Sequence, residues 1–93
     1  MSAPSGRRRR MTSARQRFLA EAVVAVTGRL VGMAMSQSWA EIPHALSERR
    51  GLLADLEREP RQGSHDASCI AALRSAVTES ERVLAQLRHA ASA

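Results

Sequence analysis

The chain has no lysine, no tyrosine, and only one tryptophan, one phenylalanine and one cysteine among 93 residues. With Cys69 alone, an intramolecular disulfide is excluded, which fits a reducing compartment. The two aromatic residues, Phe18 and Trp39, leave any core mostly aliphatic, and a chain of this length supports only a modest core. The chemistry of an active site is missing as well. His44, His65 and His89 are scattered near segment ends and do not form a cluster. His65 and Cys69 lie four apart, which places them on one helix face, but two ligands do not make a structural zinc site. There is no glycine-rich phosphate loop after a strand, and the acids are spread as partners for arginines rather than as a converging pair. No catalytic, cofactor-binding or metal-ligating residue is expected, and the chain does not read as an enzyme.

Charge is also absent in a telling place. No acid precedes Phe18, whereas six arginines do: Arg7, Arg8, Arg9, Arg10, Arg15 and Arg17. The remainder holds eight arginines against nine acids, so the formal net charge of +5 belongs to the N-terminal arm. Residues 1–13, with Pro4, Gly6 and four consecutive arginines, read as a disordered tail. Arg7, Arg8, Arg9 and Arg10 are the candidates for a nucleic-acid contact, but no aromatic residues interleave with them as stacking platforms. A solvated tail is the plainer reading. The apolar run from Phe18 to Met35 is broken by Glu21 and Arg29, which suits neither a signal core nor a membrane span.

What the sequence does have is helical periodicity. Leu19, Val23, Val26, Leu30 and Met33 mark one stripe, predicting a helix over 14–36. Its Gly28 and Gly32 suggest either close approach of a neighbour or a local bend. Trp39, Ile42, Leu46, Leu53 and Leu56 mark a second stripe, with Arg49 in the one polar slot, predicting a helix over 38–59. Ser38 and Glu41 have the spacing of a capping box, and Pro60 ends the segment. Ile70, Leu73, Val77, Ser80, Leu84 and Leu87 mark a third stripe, predicting a helix over 66–89 with Asp66, or alternatively Ser64, as its cap and a frayed end over 90–93. The second and third stripes can bury each other as a hairpin. In antiparallel register Trp39 would meet Leu87, Leu46 would meet Ser80, and Arg49 would face Val77 with its charge turned outward. Glu79 and Glu81 would lie near enough to pair with Arg49 or Arg50. The expected fold is all-α: an antiparallel three-helix bundle spanning 14–89, with Trp39 largely buried at the junction of the first two helices.

Five apolar residues flank these stripes without belonging to them: Val24, Val31 and Met35 on the first helix, Leu52 on the second and Val83 on the third. They are the candidate partner-binding surface, since apolar side chains left beside a completed core are what a partner covers.

From Val23 to Leu87 the order of residues resembles flagellar export chaperones of the FliT type. An apolar helix leads through a polar turn into Trp39, followed by Glu41, Ile42, Leu46, Arg49, Arg50, Leu52, Leu53 and Leu56. The last helix has Ile70 and Leu73 near its start, then Glu81, Leu84 and Leu87. Pro43 and the arginine-rich tail depart from the family pattern. The resemblance implies a cytoplasmic helical chaperone that binds the C-terminal segment of the filament-cap protein before type III export, with contacts to the export apparatus known in parts of the family. The competing readings are a nucleic-acid-associated protein acting through the basic tail, and a secreted helical hairpin of the W-x-G kind. The latter lacks its glycine, because Ala40 and Glu41 follow Trp39.

Overall fold

A computed structural model describes residues 3–61 and 63–92, with side chains described from Ala14 onward. The chain is helical: α1 spans Ala3–Met35, a short 3-10 turn Trp39–Glu41 follows, then α2 Ile42–Arg58 and α3 Ser64–Ser92. No strand occurs among the described residues. The first helix begins at Ala3 rather than near Ala14, so the arm expected to be unstructured has helical backbone from that point. Arginine, alanine and methionine are good helix formers, and Pro4 lies in the first turn, where its missing N–H takes no hydrogen bond from the helix.

The breaks between helices have local causes. α1 ends in a pair of nested turns: the Ser38 N–H donates to the Met33 carbonyl (2.8 Å) and the Gln37 N–H to the Ala34 carbonyl (3.1 Å). Gln37 takes the left-handed conformation that this ending requires, at φ 60°. The expected capping box does not form. The Ser38 hydroxyl pairs with the Ser36 hydroxyl at 2.9 Å, and only the backbone of Glu41 donates to the Ser38 carbonyl. The 3-10 turn intervenes, so α2 proper starts later, with Pro43 inside its first turn. Glu59 is extended (ψ 143°), as the residue before a proline should be, and α2 stops. Gly63, at φ 120°, reverses the chain, and its carbonyl accepts from Ala67. α3 therefore starts at Ser64, and Asp66 sits in its first turn rather than at its cap.

Arg50 pairs with Glu81 and Glu57 with Arg74, so α2 and α3 run in opposite directions, but the closest packing is between α1 and α2. α1 and α2 pack closely along their length; Arg15 pairs with Glu59 and Arg29 with Glu48, so the two helices run in opposite directions. The buried side chains form two clusters. One holds Leu19, Val23, Leu53, Leu56, Ile70 and Val77. The other holds Val26, Leu30, Ile42, Ala45 and Leu84, and Leu52 packs against both. Between them lies Arg49, with its side chain fully buried. α3 buries only the row Ile70, Val77, Leu84; its second row, Leu73, Ser80 and Leu87, stays partly or wholly open. The chain measures 63 × 20 × 17 Å, with a radius of gyration of 16.2 Å against the ~12 Å typical of a compact domain of this length.

Ala14–Met35 is the one segment among the described residues long and apolar enough to cross a membrane, despite Glu21 and Arg29. Its buried row faces α2. Gly28 and Gly32 do not serve close approach: a Cβ at either would meet nothing within 4 Å.

Candidate functional site

The open row of α3 faces the last turns of α1 across a groove of about 690 Å³. Three of its apolar lining residues were singled out from the sequence, namely Val31, Met35 and Val83. All are exposed, Met35 at 81%. Two candidates fall elsewhere. Val24 is 60% exposed but does not line the groove; it lies just under one turn before Thr27, the first lining residue of α1. Leu52 is half-buried and packs against both core clusters, away from the groove.

Of the apolar stripe residues that line the groove, Leu84 is buried, but Trp39 and Leu87 are not. Leu87 is 48% exposed and Trp39 only half-buried, and both line the groove with Ala34, Leu84 and Ala91. The expected Trp39–Leu87 neighbourhood is thus present as two walls of an opening rather than as a closed end. The signal that could have revealed this is the polar break Ser80 in the third stripe. It marks a place where α3 does not complete a dry seam.

The polar groups of the groove cluster around that break. Thr27 and Ser80 line it, and Nη1 of the buried Arg49 donates to both hydroxyls, at 3.0 Å each. The Thr27 hydroxyl in turn donates to the Val23 carbonyl at 2.9 Å. Arg49 therefore does not turn its charge outward past Val77; its head is drawn in by two hydroxyl acceptors. Among the described residues, its Nε and Nη2 find no hydrogen-bond partner. The nearest carboxylate oxygen, Glu81 Oε2, is 4.0 Å from Nη2. Glu81 is already held by Arg50 through two hydrogen bonds of 3.1 and 3.0 Å. Burial pushes the Arg49 pKa down, Glu81 pulls it partly back, and Arg50 adds to the lowering. Arginine remains charged even so. The hydrogen bond from Arg50 holds the Glu81 carboxyl below the usual carboxylate range. Glu79, also at the groove, pairs with Arg82 on its own helix rather than with Arg49 or Arg50.

A second, smaller hollow of about 340 Å³ lies at the other end, where His65, Asp66 and Cys69 of α3 face Gln16 and Arg17 of α1. Cys69 Sγ is 3.6 Å from His65 Nε2. Among the described residues, no group of three or more histidine, cysteine or acidic side chains converges as a metal site. The side chains of Arg7, Arg8, Arg9 and Arg10 lie outside those described. No family model, curated protein or solved structure matches this chain.

Proposed function

We propose that this protein is a non-enzymatic binding module: an antiparallel three-helix bundle, left open along one side of α3, that receives an amphipathic helix of a protein client. The observation that carries this reading is the convergence of the exposed Val31, Met35, Val83 and Leu87 with Trp39 around one groove. On α3 the lining runs from Ala76 to Ala91, about 22 Å at the rise of a helix. That length suits the i, i+3/i+4, i+7 anchors of a helix laid in a groove. In the FliT-type reading, the client is the C-terminal segment of a filament-cap protein, bound in the cytoplasm before export. That name for the client rests on the residue order from Val23 to Leu87 alone.

The test is a titration of the full chain with such a segment, followed by the fluorescence of Trp39. Val83→Glu should weaken binding at least about tenfold, because it places a charge in an apolar contact, while leaving helicity unchanged. Deleting residues 1–10 should leave binding nearly unchanged at moderate salt, where exposed charges act over only about 8–10 Å. Binding lost with the tail and not with Val83→Glu would rule out the groove. Steeply salt-dependent binding to nucleic acid, abolished by the same deletion, would put the basic-tail reading in its place.

A further inference from the structure

Thr27, Glu79 and Ser80 make one end of the groove polar, whereas the lining from Val83 to Ala91 on α3 is apolar, and the polar part is incomplete. Arg49 lies directly behind Thr27 and Ser80 with its side chain fully buried; Nη1 alone makes hydrogen bonds, and Nη2 has Glu81 Oε2 at the long distance of 4.0 Å. The two hydroxyls are not equivalent. Thr27 gives its hydrogen to the Val23 carbonyl. Ser80 accepts from Arg49, and no acceptor among the described residues takes the Ser80 hydrogen. The groove thus presents one free hydroxyl donor, polarised by a buried cation. The acids nearby meet this need only at long range, and neither accepts from Ser80. Glu81 is committed to Arg50 and Glu79 to Arg82.

A dry, underpaired guanidinium favours a nearby anion, and a covered donor left without an acceptor is costly. A wholly apolar helix laid in the groove would cover the Ser80 hydroxyl and leave it unmet. From this geometry we infer that the groove selects a client helix carrying one carboxylate toward one end of an otherwise apolar face. That carboxylate accepts from Ser80 while its charge lies over Arg49. The occupant is therefore an amphipathic segment with an aspartate or glutamate among its anchors, and the acid is a specificity determinant rather than a solubility device. This inference rests on the reading of the groove as a helix-binding site.

The experiment uses synthetic amphipathic helices of about 18 residues, long enough to span the groove. They are identical except that glutamate, glutamine or leucine occupies, in turn, each apolar position in the first two and the last two turns, so that either orientation brings one of them to Ser80. Binding to the full chain is followed through Trp39. At one of the positions the glutamate peptide should bind on the order of tenfold tighter than its leucine counterpart, with glutamine between them. In Ser80→Ala, and separately in Arg49→Met, that preference should collapse to within about twofold while the leucine peptides still bind. Leucine peptides that bind wild type as tightly as every glutamate peptide would overturn the inference and leave the groove reading standing. No binding by any peptide would overturn both. A concentration-dependent dimer that excludes all the peptides would mean that a second copy fills the groove, and would equally overturn the inference.

Discussion

Arg49 is the residue whose burial the fold bears at a cost. Removing a charge from water is offset only when its hydrogen bonds are complete, and among the described residues two of its nitrogens make no hydrogen bond. Arg49→Met, of similar length and apolar, should therefore leave stability unchanged or raise it by up to about 1–4 kcal/mol in urea unfolding. Ser80→Ala removes one of its two hydroxyl acceptors and should cost about 1–3 kcal/mol in the same assay. In the Arg49→Met background that cost should largely vanish, which a double-mutant cycle reads directly. Glu81 supplies a pH dependence. Its folded pKa lies below its unfolded value, first because of the hydrogen bond from Arg50, then through the charges of Arg50 and Arg49, with burial opposing. The stability it contributes is therefore complete above the unfolded carboxyl value, about pH 4–4.5, and is lost as the pH falls through the folded value. Glu81→Gln should flatten that part of the acid unfolding profile. Arg49 was legible in the sequence as the polar slot of an apolar stripe. That its head would turn inward was not, because Thr27, its partner on α1, is 22 positions away.

At the scale of the element, the end of α1 stores strain in one residue. Gln37 adopts a left-handed backbone that costs a side-chain-bearing residue about 1–2 kcal/mol. Glycine avoids that penalty but loses more freedom on folding, by about 0.5–1 kcal/mol. Gln37→Gly should thus raise stability modestly, by about 0.5–1 kcal/mol, visible as a higher thermal midpoint. Gly28 and Gly32 face open space, so Gly28→Ala or Gly32→Ala should each add about 1 kcal/mol of helix propensity without a clash. A lower midpoint for either would show that something packs there. Trp39, half-buried beside the groove, contributes less than an enclosed tryptophan. Trp39→Ala should cost roughly half of the 3–5 kcal/mol typical of a buried one, and should remove the groove's largest anchor. Helices and their breaks were readable from local signals: periodicity, Pro60 and Gly63. The capping box failed because a 3-10 turn came between Ser38 and α2.

For the whole molecule, the important feature is uneven closure. α1 and α2 share a continuous seam, whereas every described residue of α3 beyond Leu84 is exposed. Such a segment has few apolar contacts to hold it, so its amides should exchange much faster in the free protein than those of α2. Occupation of the groove should slow exchange through Leu87 and Ala91, which line it, and leave α2 little changed. Uniform exchange rates along α3, with or without a bound helix, would contradict both the open end and the docking mode.

The sequence by itself determined that the chain is helical, where the helices break, and which residues form each stripe. These are properties of spacing and of backbone geometry within a few residues. Tertiary structure decided which edge of each stripe is covered. A stripe of two rows can be satisfied by one neighbour or by two, and periodicity does not say how many neighbours arrive. On α3, Ile70, Val77 and Leu84 are covered by α1 and α2, while Leu73, Ser80 and Leu87 are left at or beyond the edge of that cover. The same decision left Leu52 half-buried against both clusters and Trp39 half-buried as a groove wall. It also enclosed Arg49 between the two clusters. Each outcome depends on how three helices meet in space, and pairing two stripes in register cannot supply that.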